Sequence, residues 1–414
     1  PTCSASFYAT PAGSRPPRTG ERPGPGRSWP PAEPVPATGP TPTTDRAVWL
    51  ALVVALVLLL QAGTPARIVV LSAIVIVAAL AYSLRWRLSA GAILVLLLVG
   101  LAMRLAPPTG YSDVLAVTEA AIREMLAGGN PYGQGYEASM PPGAPFAYGP
   151  LALLWYLPSL GDPGRMELLA SVMVLGLLAL RGRPLGLAIY AATPAFVVAA
   201  GDGSNDTTAG LLILVALLAA VRLPLLGAAL LALAVAFKPY ALAWLPGLVG
   251  FAGLGPLAVF VAASAVSWLP ALVAWGPSSM LWSVREADAL HERPYYSLAY
   301  AIGSDGEVPR VAWNALRVGI GVAVAALNLA LVRSAAGLII GGSLVFVATL
   351  FLGWWSTFAY LSAVAPIICW HLDDWLGIGG RVIWPGDPVR RVTTWADMSI
   401  PVRGTVIDPQ PGPR

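Results

Sequence analysis

The feature that most constrains this chain is a succession of long apolar runs separated by short polar breaks. About 20 apolar residues cross the hydrocarbon core of a bilayer as a helix, and the runs are too many to fold into one aqueous core. Of 414 residues, 57% are hydrophobic and 11% are charged, whereas roughly a quarter is charged in soluble domains. The sequence therefore predicts an all-α fold, a polytopic transmembrane helical bundle.

Arginine placement predicts how the chain is threaded, because cytoplasmic loops of membrane proteins carry an excess of basic residues. Residues 1–45 are rich in Pro, Gly and Arg with little to bury, which predicts a disordered cytoplasmic tail. Three apolar runs then cross outward, inward and outward again: 47–62, 68–83 and 90–103. The polar segment 106–148 is therefore predicted to be an extracytoplasmic loop.

Later runs continue this alternation. The proline-bracketed segment 145–158 is predicted to be re-entrant or interfacial, because run 166–180 ends at Arg181, which belongs inside. The further crossings are predicted at 185–200, 208–221, 225–237, 240–252, 255–273, 311–332, 336–353 and 356–370. They leave loop 276–308 outside and a basic tail, 376–414, inside. The transmembrane domain 46–375 thus has about 12 crossings, as a multi-pass protein of the bacterial cytoplasmic membrane.

Two other function classes are disfavoured by composition. The formal charge of +4 is read as an orientation signal, since no basic stripe with interleaved aromatic residues predicts nucleic-acid binding. Cys3 in the polar tail and Cys369 in an apolar run differ too much in environment to predict a disulfide or a metal site.

Residues 112–127 have a helical pattern, with Ser112 as the expected cap and Asp113 in the first turn. We expect an amphipathic helix lying on the membrane. Asp113 has two interpretations: it complements the helix N-terminus, or it is a general base held near a hydroxyl in a cleft. Glu119 and Glu124, further along this helix, are expected to be solvated.

Lys238 is the only lysine of the chain and lies between apolar stretches. A cation at mid-membrane depth costs roughly 2.5–3.5 kcal/mol or more. It therefore either extends to the headgroups from a helix end or meets a phosphate or carboxylate. Pro239 is expected to break the helix there and free backbone groups to line a polar cavity.

The sequence GDGSND at 201–206 precedes another apolar run. Asn205 or Asp206 is expected either to cap a helix that starts near Thr207 or to direct polar groups at a sugar. Asp202 and Asp206 offer a weak divalent-cation site, so no cofactor is assigned and a divalent cation is left open.

The loop 281–300 concentrates charged and aromatic residues. Arg285 and Arg293 suit phosphate oxygens, and Tyr295 and Tyr296 suit both stacking on sugar faces and the interfacial aromatic belt. His291 is expected to be a surface histidine. Under the predicted threading, this loop, Asp113, loop 201–206 and Lys238 all fall on the outer side.

Four segments resemble the GT-C superfamily of polyprenyl-phosphate-sugar-dependent glycosyltransferases, especially actinobacterial mannosyltransferase-like members including glycosyltransferase family 87. They are SDVLAVTEAAIREMLAGGNPY (112–132), AYGPLALLWYLP (147–158), GSNDTTAGLLILVALL (203–218) and AVAFKPYALAWLP (234–246). The resemblance implies that Asp113 activates the acceptor hydroxyl and that Lys238 lies near the lipid phosphate. It also implies an inverting transfer of a mannosyl or similar sugar.

The leading hypothesis is thus a membrane glycosyltransferase acting on a polyprenyl-phosphate-linked sugar donor and an envelope glycan or glycolipid acceptor. Asp113 would be the base, Lys238 with Arg285 or Arg293 would hold the lipid phosphate, and three tyrosines would shape the sugar cleft: Tyr132, Tyr295 and Tyr296. A secondary transporter or lipid flippase is the main alternative, because a broken helix with an intramembrane charge also describes transporters. A noncatalytic envelope-assembly protein is the third.

Overall fold

The structure is a computed structural model that describes residues 43–59, 88–105, 112–139, 142–303 and 308–377. Predictions for the apolar run 68–83, for residues 1–42 and for residues 378–414 lie outside these ranges. Most of the described residues are helical, which confirms the predicted helical class.

The α-helices of the described residues are α1 (Thr43–Leu59), α2 (Leu88–Leu105), α3 (Val114–Leu126), α4 (Pro150–Tyr156), α5 (Gly164–Arg181), α6 (Pro184–Ala192), α7 (Pro194–Ala199), α8 (Asp206–Arg222), α9 (Pro224–Phe237), α10 (Leu245–Ala252), α11 (Leu254–Trp275), α12 (Pro277–Ala289), α13 (Leu298–Ala301), α14 (Arg310–Leu331), α15 (Ala335–Phe351) and α16 (Leu361–Trp375). Short 3₁₀ segments are Leu157–Ser159, Pro239–Trp244 and Phe358–Tyr360. An antiparallel hairpin, β1 (Gly135–Tyr136) with β2 (Ala144–Pro145), was not predicted.

Two helices in the described part of the chain are long and apolar enough to cross a membrane, α11 and α14, each of 22 residues. Only 11% of the apolar window of each is buried, so both present most of that surface outward. The pair α4 with its 3₁₀ turn and α5 passes the same test with a bend of 98°, as in a broken span or a re-entrant loop. The larger number of crossings remains a prediction.

Other predicted crossings coincide with shorter apolar helices. These are Val48–Leu58, Ala90–Leu105, Pro224–Phe237, Pro239–Ala252 and Ala335–Phe351. Each falls on one of the apolar runs identified from the sequence, although each is shorter than a full span in the described residues.

Helix α8 is the buried centre around which the polar residues are arranged. It packs against α5, α9 and α16. Gly210 permits the approach of α16, because an added Cβ would lie 2.7 Å from Ser362 O. Three neighbouring helices therefore fix the N-terminal end of α8, where Asp206 begins the helix.

Helix α3 confirms the helical pattern of residues 112–127. Its apolar face, including Leu115, Ala121 and Ile122, is buried and packs in a core with the ring of Phe146. The expectation that this face lies on the membrane is therefore wrong, because the protein's own core covers it. The opposite face carries the Arg123–Glu119 salt bridge.

Candidate functional site

The start of α3 and the loop 201–206 meet through their backbones, although they are far apart in sequence. Ser112 N donates to Asp202 O at 2.5 Å, and Leu115 N donates to Gly203 O at 2.9 Å. Gly203 has φ +94, and an added Cβ would lie 2.4 Å from Ser112 O. Glycine is therefore the residue that fits this junction.

Asp113 is half-buried and occupies the position immediately before α3. The helix begins one residue later than predicted, at Val114, and the Asp113 side chain makes no capping hydrogen bond. Val114 N donates to Ser112 Oγ at 3.4 Å, which is a weak cap. The Asp113 charge still lies beside the helix N-terminus, which stabilises a nearby anion.

The chain breaks at Lys238, as the proline predicted. Helix α9 ends at Phe237, and Lys238 is extended with φ −144 and ψ 115. Extended backbone is favoured before proline, and Pro239 has no N–H to continue the helix. Gly149 N donates to Phe237 O at 3.2 Å. An added Cβ at Gly149 would overlap Ala236 O. The break thus brings the segment before α4 against the end of α9.

The Lys238 ammonium is buried and has its anion within the protein. Its Nζ donates to Asn205 Oδ1 at 2.6 Å and to Asp206 Oδ1 at 2.7 Å. Lys238 is 5% exposed and Asp206 is 2% exposed. Of the two interpretations of Lys238, the structure thus favours the meeting with an anion, and that anion is a carboxylate.

Three tyrosine rings surround the same ammonium. Nζ lies 5.3 Å from the ring centroid of Tyr148, 5.1 Å from that of Tyr240 and 5.4 Å from that of Tyr360. Such contacts stabilise a cation, by up to about 2 kcal/mol or more where it is desolvated. The Tyr240 hydroxyl also donates to Asp206 Oδ1 at 2.7 Å. We call Lys238, Asp206 and these tyrosines the lysine cage.

Tyr148 is the cage residue on which the Asp113 charge acts. Burial raises the pKa of Tyr148 well above its usual range, and interactions with Tyr360, Asp206 and Asp113 raise it further. The Tyr148 hydroxyl therefore stays protonated, and Asp113 lies close enough to influence it. Lys238 therefore contacts a side chain that the sequence did not single out, and the Asp113 charge acts on the same side chain.

Asn205 and Asp206 do not cap α8 in the way expected from the sequence. Asn205 holds the N-cap position, but its side chain makes no capping bond and accepts from Lys238 instead. The cap comes from Glu167, whose Oε2 accepts from Thr208 N at 3.0 Å.

Glu167 is a buried carboxylate that sequence reasoning missed. It is 1% exposed, and its Oε1 accepts from the Tyr156 hydroxyl at 2.5 Å and from Thr208 Oγ1. The sequence signal that could have identified Glu167 is its position within an apolar run. An acidic side chain there costs free energy unless it is paired.

The Asp202 side chain is hydrogen-bonded within its own loop. Its Oδ1 accepts from Ser204 N at 2.9 Å. Burial raises the pKa of Asp202, while the hydrogen bond from Ser204 opposes this shift. Within the described residues, no group of three or more His, Cys, Asp and Glu side chains forms a candidate metal site, and the Asp206 Oδ1 atom is occupied by Lys238 and Tyr240.

The 281–300 loop carries the two arginines that were predicted to bind phosphate. Arg285 and Arg293 are exposed. Neither joins a salt bridge within the described ranges. The prediction that one of them holds a lipid phosphate together with Lys238 stays a prediction, because that partnership would run through the bound phosphate.

Aromatic contacts link this loop to the lysine cage. The His291 and Trp355 ring centroids are 3.6 Å apart, and Trp355 lies 6.2 Å from Tyr360. His291 is half-buried, unlike the surface histidine expected, and burial lowers its pKa. The loop thus reaches the cage through Trp355 and Tyr360.

The predicted sugar-cleft tyrosines differ in exposure. Tyr295 and Tyr296 are 46% and 47% exposed, and their ring centroids lie 4.5 Å apart. Tyr132 is buried, packs on Phe146 and donates to Tyr148 O at 3.0 Å. Tyr132 therefore supports the Tyr148 segment and does not line an open cleft, because its ring fills the core beside α3.

Comparison with known proteins gives no match: no family model, curated protein or solved structure is similar to this chain at a significant level.

Proposed function

We propose that this chain is a membrane glycosyltransferase that moves a mannose-like sugar from a polyprenyl-phosphate donor to an envelope glycan or glycolipid. The observation that carries the proposal is the convergence of the four segments that resemble GT-C glycosyltransferases. They are joined by the hydrogen bonds from Leu115 N to Gly203 O, from Gly149 N to Phe237 O and from Lys238 to Asp206.

This convergence supports a site because three of the four segments contribute a group suited to the reaction. Asp113 contributes a half-buried carboxylate beside a helix N-terminus. Segment 147–158 contributes the Tyr148 hydroxyl, and the break after α9 contributes Lys238. Carboxylate, hydroxyl and ammonium groups are the groups that acid–base and electrostatic catalysis require.

In the proposed reaction, an acceptor hydroxyl oxygen attacks the anomeric carbon of the donor sugar. The new C–O bond forms as the bond from that carbon to the phosphate oxygen breaks, and the polyprenyl phosphate leaves with the electron pair. Asp113 takes the hydroxyl proton as general base. Attack opposite the leaving group inverts the anomeric centre.

The Lys238–Asp206 pair limits how the leaving phosphate is stabilised. Because Asp206 balances the Lys238 charge, the pair is neutral as it stands. In the proposal, Lys238 contacts the donor phosphate by exchanging one of its present acceptors, Asn205. Arg285 or Arg293 supplies the additional positive charge from the outer loop.

We further propose a fold of about 12 crossings in the bacterial cytoplasmic membrane, with the lysine cage at the outer face. A cysteine-free background (Cys3→Ser, Cys369→Ala) carrying one new cysteine tests this threading. An impermeant thiol reagent added to cells should label Ala138→Cys and spare Arg222→Cys, two positions that are exposed in the protein. The reverse pattern would invert the proposed orientation.

Purified protein in liposomes with labelled polyprenyl-phosphate sugars tests the activity. Transfer of label to an acceptor supports the transferase. A transporter or flippase is the second candidate, favoured by the break at Lys238 and its buried charge. Protein-dependent movement of the labelled lipid across the bilayer without transfer would support that candidate and overturn the first.

A further inference from the structure

One carboxylate, Asp288, is shared by two arginines of α14. Arg310 donates to Asp288 Oδ2 at 2.6 Å and also to its backbone carbonyl oxygen. Arg317 lies further away, with 3.8 Å between its guanidinium NH2 and Asp288 Oδ1. We call Asp288, Arg310 and Arg317 the α14 arginine cluster. Its two cations and one anion leave one positive charge within the cluster.

Arg317 lies two turns into a helix that is long and apolar enough to cross a membrane. It follows Arg310 by seven residues, so both lie on one face of α14 and about 10 Å apart along the axis. Helix α14 is a candidate membrane span with an 11% buried apolar window. A cation two turns inside such a helix is costly unless it pairs with an anion or reaches the headgroups.

Arg317 is held in place by its surroundings. Its side chain is 26% exposed, and its stem crosses Gly353, where an added Cβ would lie 2.4 Å from Arg317 Cδ. It interacts electrostatically with Tyr360, a member of the lysine cage. The Asp288 side chain is 52% exposed and, at 3.8 Å, makes no hydrogen bond to Arg317.

We propose that Arg317, with Arg310, binds the phosphate group of an anionic lipid. The guanidinium fork matches phosphate oxygens better than it matches the distant Asp288 carboxylate. Two sources carry this chemistry, a bulk phospholipid headgroup and a polyprenyl phosphate. The site is separate from Asp113 and Lys238, and its occupancy does not depend on sugar transfer.

Lipid retention by the full-length protein tests the proposal. The protein is placed in phosphatidylcholine nanodiscs that contain a minor fraction of phosphatidylglycerol or of a polyprenyl monophosphate. It is then released, and native mass spectrometry measures which lipids stay bound to it. Arg317→Gln should lower the retention of at least one probe about fivefold, the effect of one basic residue at an anionic surface. Asp288→Asn should raise it, because it removes the competing carboxylate.

Matched variants separate binding from folding. Arg165→Gln removes an exposed arginine that also pairs with an acidic residue, Asp162, and should leave retention unchanged. Gly353→Ala keeps the charge of Arg317 but displaces its stem, so retention should fall.

Loss of phosphatidylglycerol and polyprenyl phosphate alike assigns the site to lipid phosphates in general, and loss of polyprenyl phosphate alone assigns it to the donor lipid. Retention of both probes by a folded Arg317→Gln variant at the parent level would overturn the proposal. An inactive transferase with intact retention would overturn only the proposed function.

Discussion

The Lys238 ammonium donates to Asp206 Oδ1 over 2.7 Å across 32 positions of sequence, and both side chains are buried. Neither charge would be tolerated alone at that depth, because an uncompensated buried ion is strongly destabilising. The pair therefore fixes the start of α8 against the break after α9.

Removing Lys238 should show how far the folded protein depends on this ion pair. Lys238→Ala is expected to lower the free energy of unfolding by about 3–5 kcal/mol, since Asp206 is left buried without its cation. Donor binding should weaken about tenfold to hundredfold, the value of a charge-assisted contact of roughly 1.5–3 kcal/mol. Lys238→Arg should weaken it less. Thermal melting and donor titration in detergent measure the two effects.

A double variant separates the two roles of Lys238. Lys238→Met combined with Asp206→Asn removes both charges and should recover much of the lost stability, but not donor affinity. If the stable double variant bound donor as tightly as the parent does, Lys238 would be a structural residue only.

Asp113→Asn tests the proposed base. Asparagine keeps the size of the side chain and caps a helix about as well as aspartate, but it cannot accept the acceptor's proton. Turnover should fall 10²–10⁴-fold, the usual contribution of a general base, while melting stays close to that of the parent.

Two carboxylates on the same helix are the controls for this variant. Glu119→Gln and Glu124→Gln should remain within a few-fold of parent turnover, because Glu119 pairs with the exposed Arg123 and the proposed reaction uses neither carboxylate. Near-parent turnover of Asp113→Asn, with loss of activity in a folded Asp206→Asn, would move the base to loop 201–206.

The features of the site that depend on neighbouring residues in the sequence could be predicted from it. The periodicity of residues 112–127 predicted α3, and Pro239 predicted the break after α9, since a proline removes a backbone donor wherever it falls. The cost of burying Lys238 predicted that it would need an anion. Charge bias also placed Asp113, Lys238 and loop 201–206 on one side, and the structure brings them together.

The pairing of buried polar side chains depends on tertiary contacts and could not be predicted from the sequence. Nothing local indicates that Asp206 pairs with Lys238, or that Glu167 replaces Asn205 as the cap of α8. Each pairing depends on how α5, α8 and α9 pack. The tyrosine rings around Lys238 come from three separate segments, so no single motif contains the lysine cage.

His291 should make stability depend on pH. Burial lowers its pKa below the usual 6.5, so the unfolded chain takes up a proton at a higher pH than the folded protein does. The folded state is therefore favoured above about pH 6.5 and loses stability as the pH falls through that value. The melting temperatures of the parent and of His291→Gln are compared at pH 8 and at pH 5.5. Between these two values the melting temperature of the parent should fall further than that of the variant. Parallel melting profiles would show that this histidine is not perturbed.

Gly203→Ala tests whether the junction between loop 201–206 and α3 positions Asp113. Alanine at φ +94 is strained by about 1–2 kcal/mol, and its Cβ would lie 2.4 Å from Ser112 O. Relief of that overlap must move Ser112, which is covalently joined to Asp113. A displacement of 1 Å at a reacting group can lower a rate about 10²-fold, so turnover should fall together with stability.

Gly161→Ala is the matched control, because Gly161 has φ +96 but an added Cβ would meet nothing within 4 Å. Both variants place alanine at nearly the same positive φ, and only Gly203→Ala adds the overlap with Ser112. The two melting temperatures should therefore fall by different amounts, with the larger loss at Gly203, and turnover should fall only there. Equal losses of stability in both variants, with parent turnover in each, would mean that the backbone contact does not position Asp113. The position of the Asp113 carboxylate would then be determined by the packing of the apolar face of α3 in the core.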